Sequence, residues 1–135
     1  MIMKKQLLYR ELAKYYDAIY ARKNYEDEIA IINKMITKYK KSKGKDLLEV
    51  GCGTGHHIQY FRKRFSCTGI DINQGMLTVA KKKFKDITFK EADMINFNLN
   101  RKFDIITCLF SSICYVKTYA NLHKTINNFA KHMKT

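Results

Sequence analysis

The chain has 135 residues, 46% hydrophobic and 28% charged, a length that suits one domain, 1–135, with a core of its own. Asp104, Thr107, Ser111 and Ser112 interrupt the longest apolar stretch, so no segment reads as a membrane span, and Lys4, Lys5, Arg10 and Glu11 break up any export core, so the expected setting is cytoplasmic. A net charge of +14 raises nucleic acid as a partner, yet lysines such as Lys34, Lys38, Lys81 and Lys82 are spread over predicted helix surfaces, which a solvated basic face explains.

Residues 6–20 predict a helix whose Leu8, Leu12, Tyr15 and Ile19 recur at helical spacing, and 26–41 predict a second. Together residues 1–44 read as amino-terminal helices forming a lid, ahead of a nucleoside-binding α/β core over 45–135. Lys43-Gly44-Lys45 is the connector. Over 46–50 the apolar Leu47, Leu48 and Val50 suit a strand covered on both faces, and this strand runs into Gly51-x-Gly53-x-Gly55. Glycines at that spacing bring backbone N–H groups against a ligand where a Cβ would collide. The spacing departs from the dinucleotide and phosphate-cradling patterns, so neither a pyrophosphate nor a triphosphate is the expected ligand. A plain tight turn is the alternative.

A helix over 56–65 follows. His56 and His57 are adjacent, point to different sides and make a poor chelating pair. A strand over 68–71 ends in Asp71, twenty positions beyond Gly51, where a nucleotide-binding βαβ unit places an acid for the ribose hydroxyls. After a helix over 75–83 and a strand over 87–91 come Ala92, Asp93 and Met94, the acid suited to an adenine amino group and the methionine to its ring. Each acid alone reads as a solvated strand end; together they form a nucleoside clamp at the carboxyl ends of parallel strands. The connector 96–101, a strand over 103–108 and a helix over 119–132 complete the order, with His123 and His132 reading as surface residues. The four cysteines lack metal spacing and read as reduced thiols, and no metal is expected.

These residues resemble the class I S-adenosylmethionine-dependent methyltransferases from about Tyr15 to the end of the chain. The likeness rests on Glu49-x-Gly51-x-Gly53-x-Gly55, Asp71, Asp93 and the strand Phe103-Asp104-Ile105-Ile106-Thr107-Cys108. It implies an α/β class with a Rossmann-like methyltransferase fold, a parallel sheet with helices on both faces. It also implies S-adenosyl-L-methionine as cofactor, with Glu49 and the loop Gly51, Cys52, Gly53 and Gly55 at its methionyl end, and Asp71 at the ribose. Ala92, Asp93 and Met94 then flank the adenine, with His56, Ile72 and Met76 also on the cofactor side. Within that class the segments Cys108–Val116 and Tyr15–Tyr20 are most similar to small-molecule N-methyltransferases that dimethylate deoxyamino sugars. By that likeness Tyr16 faces the ligand, Leu109 and Phe110 wall the sulfonium region, Ser111 and Ser112 shape the loop, and Lys23 faces the cofactor carboxylate. Tyr115 stands where the sugar enzymes often carry a histidine and is the nearest candidate to take the acceptor's proton.

The expected acceptor is therefore a small molecule bearing an amine. The chain contains no proline, which excludes the Asn/Asp-Pro-Pro-aromatic loop of exocyclic-amine methylation and the Pro-Cys nucleophile of cytosine carbon methylation. An RNA methyltransferase without those motifs stays open, as does a cofactor-binding domain without catalysis. Members of the class continue into three further strands, so a chain truncated after the fourth strand and its helix leaves 103–108 at an apolar edge. Self-association through that edge is expected.

Overall fold

The computed structural model describes Leu7 and residues 9–135. Lys4, Lys5, Gln6 and Leu8, invoked above, lie outside the described residues. The elements are α1 (Ala13–Ile19), α2 (Tyr25–Tyr39), β1 (Asp46–Val50), α3 (His56–Phe61), β2 (Ser66–Asp71), α4 (Gln74–Lys83), β3 (Thr88–Glu91), β4 (Ile105–Cys108), a 3-10 turn (Ser112–Val116) and α5 (Tyr119–Lys131).

All strand pairs are parallel, in the order β3-β2-β1-β4, so the four carboxyl ends share one edge of the sheet. The register pairs Glu49 with Gly69 and Thr107, and Asp71 with Glu91. Because side chains alternate along a strand, Glu49 and Asp71 project from the same face, while Leu48, Val50 and Ile70 project from the other. On the first face Leu47 and Ile105 pack with Ile29 of α2 and Phe61 of α3, and Phe89 packs with Leu77 and Ala80 of α4. On the second, Leu48, Val50 and Ile70 pack with Phe97, Phe103 and Phe129, the last from α5. Helices thus lie on both faces, as an apolar parallel strand requires. Asn24 starts α2 by accepting a hydrogen bond from the Asp27 amide at 3.2 Å, and Glu26, Asp27 and Glu28 complement the helix dipole there.

Three elements and one side chain stand out as different from the sequence reading. The first helix is broken at 10–12, and its buried stripe is Tyr9, Ala13, Tyr16 and Tyr20 against Met76 and Val79 of α4. Leu12, Tyr15 and Ile19, taken as the inward stripe, are exposed. Both sets have helical spacing, and the rings win because α4 presents Gly75 and Met76 to them. The third helix ends at Phe61, with a turn carrying the chain to Phe65. The fourth strand begins two residues late, because Phe103 is occupied in a parallel bridge to Met133 and Asp104 turns its carboxylate to the Asp46 amide at 2.9 Å. Lys134 Nζ reaches the same carboxylate at 2.9 Å. Burial works to raise the Asp104 pKa, but the Lys134, Ser42 and Asp46 hydrogen bonds outweigh it and hold it below the usual carboxylate range. Finally, His132 is buried rather than on the surface: Nδ1 lies 2.8 Å from the Asn128 carbonyl, Nε2 accepts from the Leu99 amide at 3.3 Å, and the ring packs on Phe97.

Candidate functional site

The strand tips carry a loop that only glycine fits. Gly51, Gly53 and Gly55 have φ of +69°, +55° and +86°, a region side chains rarely adopt. Their surroundings separate them. A Cβ on Gly51 would lie 2.9 Å from the Ser112 Cβ, and one on Gly53 3.0 Å from the flexible end of Met76. On Gly55 it would lie 2.8 Å from the Phe84 ring, and the Gly55 amide already donates to the Cys52 carbonyl at 3.0 Å. Gly55 is therefore a packing glycine. The Gly53 amide instead donates to Asp71 Oδ2 at 2.9 Å, while the Asn73 amide donates to Oδ1 at 2.8 Å. Asp71 thus ties the loop to the end of β2, and its carbonyl accepts from the Ala92 amide at 3.0 Å, drawing the segment with Asp93 alongside. Burial raises the Asp71 pKa, and these amide hydrogen bonds only partly offset it.

Glu49 is the least expected residue of the core. It is 1% exposed, and its Oε2 has no hydrogen-bond partner among the described residues. Its Oε1 lies 3.4 Å from His57 Nδ1; His57 Nε2 lies 3.2 Å from Glu28 Oε1; Glu28 Oε2 lies 2.7 Å from Lys23 Nζ. Burial pushes the Glu49 pKa well above the carboxylate range, and the nearby Asp71 and Glu28 push the same way. A buried acid without a paired cation is costly, and here the cost falls at the edge of the glycine loop.

An aromatic wall stands beside this acid. Tyr16 and Tyr20 pack with centroids 4.6 Å apart, Tyr20 meets Phe110 edge-on at 5.2 Å, and Lys23 Nζ sits 3.8 Å over the Phe110 ring. Phe110 and Ser111 both have positive φ, a sharp turn that sets Ser112 against Gly51. Farther along, the Tyr115 hydroxyl is 2.8 Å from that of Tyr9. Burial and the Tyr115 contact raise the Tyr9 pKa, so Tyr9 remains a phenol at neutral pH. Asp17 of α1 latches these segments together: it accepts from Thr54, which is 1% exposed, lies 2.7 Å from His56 Nε2 and pairs with Lys83 Nζ at 2.7 Å. His56 in turn stacks on Tyr25 at 4.6 Å.

Of the residues expected at the site, Tyr16, Lys23, Glu49, Gly51, Gly53, His56, Asp71, Met76 and Phe110 converge around the loop. Ile72 is exposed just past β2, and Asp93 closes an Asx turn with the Ile95 amide at 2.9 Å. Three further expected residues have packing partners of their own. Cys52 is buried in the core beside Phe89, its amide bonded to the Ile70 carbonyl; Gly55 lies against the Phe84 ring; and Leu109 packs with Ile29, Leu47 and Phe61. Met94 and Ala92 pack against the Leu48–Ile70 core, and Tyr115 is half exposed. The sequence reading missed Tyr9, Asp17, Tyr25, Glu28, Thr54 and Lys83, and it placed His57 only at the start of the helix after the loop. Surface concavities among the described residues include one of about 320 Å³ beside Asn33, Lys38 and Arg64 and one of about 530 Å³ beside Asn96, Arg101 and His132, and neither is lined by the loop.

A parallel sheet with a glycine loop after β1 and acids at the tips of β1 and β2 defines a nucleoside-binding α/β protein, and comparison with known proteins narrows the class. Residues 47–135 match a family model described as a methyltransferase domain, and the chain belongs to that family. It is 36% identical over 125 residues to the dTDP-3-amino-3,4,6-trideoxy-alpha-D-glucopyranose N,N-dimethyltransferase of Streptomyces venezuelae, covering 90% of this chain and 52% of the relative. Among solved structures it matches Streptomyces venezuelae DesVI with a TM-score of 0.83 at 35% identity, over 90% of this chain and 52% of that one. It also matches S-adenosylmethionine-bound CalS10, an amino pentose methyltransferase from Micromonospora echinaspora, with a TM-score of 0.81 at 30% identity, over 88% of this chain and 51% of that one. The chain thus spans about half the length of the relatives it matches. The fold is the Rossmann-like fold of S-adenosylmethionine-dependent methyltransferases.

Proposed function

We propose that this chain holds S-adenosylmethionine across the tips of β1, β2 and β3, and supplies the donor side of a methyltransferase whose acceptor is the amine of a small molecule. Nucleotide-linked amino sugars are the class to test first. The observation that carries the reading is Glu49, a buried acid with one unpaired oxygen at the rim of a glycine loop. A ligand ammonium is the group that such an oxygen lacks, and a polyphosphate offers it no donor.

When bound, the cofactor supplies a methyl group already activated on a sulfonium. Glu49 faces the ammonium end, and Gly51 and Gly53 let backbone approach the chain that follows. Asp71, held by the Gly53 and Asn73 amides, keeps lone pairs for the ribose hydroxyls, since a carboxylate accepts about four hydrogen bonds. Asp93, with Ala92, Met94 and Ile72, borders the adenine. Tyr16, Met76 and Phe110 exclude water, and residues 9–44 act as a lid over the 45–135 core, latched through Asp17.

On the acceptor side the protein positions an unprotonated amine in line with the methyl, since orientation is the larger part of the task. Tyr115, half exposed and paired with the Tyr9 hydroxyl, orients the amine lone pair and takes the amine proton as it passes its own hydroxyl proton to solvent. The amino-sugar N,N-dimethyltransferases among its relatives support an amine acceptor. Methyl label supplied on S-adenosylmethionine should enter dTDP-amino sugars or another amine in a metabolite extract. Label found solely in total RNA would overturn the small-molecule reading and favour the one suggested by net charge.

A further inference from the structure

The string Glu49, His57, Glu28 and Lys23 contains a proton count that does not close. Both ring nitrogens of His57 face carboxylate oxygens, Nδ1 at 3.4 Å from Glu49 and Nε2 at 3.2 Å from Glu28, yet a neutral imidazole carries one N–H. The Glu28 contact is the shorter and belongs to the more exposed acid, which is also paired with Lys23 at 2.7 Å. The N–H therefore sits on Nε2, and Nδ1 faces Glu49 as an acceptor. That arrangement suits a Glu49 that carries its own proton. The groups facing Glu49 are Asp71 from β2, Glu28 from α2, His57 from α3, Lys23 ahead of α2, and the thiols of Cys52 and Cys67, with the Cys108 thiol behind the sheet on its other face. Those facing His57 are Glu28, Glu49, Lys23, His56 and the Tyr25 ring at 5.2 Å. Lys23 is the one cation in this group, and Glu28 holds it.

We propose that His57 is a positioning residue that stores the Glu49 proton: when a cationic ligand group arrives at Glu49 Oε2, the proton moves from Glu49 Oε1 to His57 Nδ1. The O–H bond breaks, an N–H bond forms, and the resulting imidazolium lies between two carboxylates. No proton leaves the protein. Burial keeps His57 neutral beforehand, its pKa below the usual value despite Glu28, and the new negative charge on Glu49 is what reverses that balance. The inference rests on the reading that a ligand ammonium occupies this site, and it assigns to His57 a role that a packing residue would not have.

The test uses S-adenosylhomocysteine, which carries the ammonium, and 5′-methylthioadenosine, which lacks it. In the wild-type chain, nitrogen-15 spectra of His57 should change from a neutral tautomer to imidazolium on saturation with the first and stay neutral with the second. Calorimetry in buffers of different ionisation enthalpy should then show no net proton exchange between pH 6.5 and 8. In a His57→Gln variant the Glu49 proton has nowhere to go but solvent, so affinity should weaken about tenfold for each pH unit of acidification. A His57 that stays neutral in the saturated wild-type protein overturns the proposal while leaving the cofactor reading intact. So does a His57→Gln variant that binds with unchanged, pH-independent affinity. Absence of any S-adenosylhomocysteine binding by wild type overturns both.

Discussion

Two glycines two residues apart should fail in different ways. In Gly55→Ala the new Cβ meets the Phe84 ring at 2.8 Å, and Phe84 is 8% exposed and packed on Phe89, Leu77 and Ala80, so it has little room to retreat. Overpacking of this kind costs about 1–3 kcal/mol, and forcing a side chain to φ +86° adds about 1–2 kcal/mol. The sum is about 2–5 kcal/mol, a large part of the ~5–15 kcal/mol that holds a domain together. In Gly53→Ala the backbone strain is similar, but the neighbour is the terminal methyl of Met76 at 3.0 Å, which can swing aside. Stability should fall by only about 1–2 kcal/mol, while ligand binding is lost because the Cβ stands in the loop. Urea unfolding of both variants, with S-adenosylhomocysteine titrated into whichever is folded, separates the roles. A Gly55→Ala variant within about 0.5 kcal/mol of wild type, or a Gly53→Ala variant that binds normally, refutes the division between packing and ligand glycines.

Two histidines and two carboxylates should each make the fold sensitive to acid, in different pH windows. Burial depresses the His56 and His57 pKa values, with Asp17 and Glu28 only partly opposing; both are neutral when folded, so their contribution is present above their unfolded pKa near 6.5 and is lost as pH falls through the folded values. Glu49 has the opposite sign, since its raised pKa adds stability on acidification, so the histidine contribution is read by difference: from pH 7.5 to pH 5.5 the urea midpoint of His57→Gln should move toward greater stability relative to wild type. Asp17 and Glu28 follow at lower pH: burial alone would raise them, but the hydrogen bonds from Lys83 and Thr54, and from Lys23, win, so their stabilisation holds above about pH 4 and disappears below it. Replacing Asp17 by Asn should flatten that limb and loosen the amino-terminal segment, read as faster amide exchange over residues 13–19. Tyr115→Phe should reduce methyl transfer to an amine by about a hundredfold or more while leaving S-adenosylhomocysteine affinity unchanged; equal losses in both would make Tyr115 structural. Among the described residues only the Phe103–Met133 bridge borders the outer edge of β4, so sedimentation should show concentration-dependent association, and a strict monomer at high micromolar concentration contradicts pairing through that edge.

The strands, the helices after them and the glycine loop were legible in the sequence because each has a local cause: period, flanking glycine, apolar run. Glu49 and Asp71 stood out as acids at strand ends, where register later set them on one face. Contacts between distant segments were not legible. Asp17 carries no local signal in its helix, and only the folded chain brings it to Thr54, His56 and Lys83. Glu28 looked like an ordinary first-turn acid of α2, although it also anchors His57. Gly55 shared a motif with Gly53, and nothing in a glycine tells which neighbour requires it. For the broken first helix, two stripes of equal period competed, and the surface of α4 decided between them.

The account depends most on a nucleoside carrying an amino-acid chain lying across Glu49 and Asp71. Titration calorimetry of the wild-type chain and an Asp71→Ala variant with S-adenosylhomocysteine, each shown to be folded by its unfolding curve, tests this directly. Wild type should bind with measurable heat, and loss of the ribose acceptor should weaken binding about a hundredfold or more, the equivalent of two charged hydrogen bonds at about 1.5 kcal/mol each. No heat with the wild-type chain, or equal affinity in the two proteins, contradicts it.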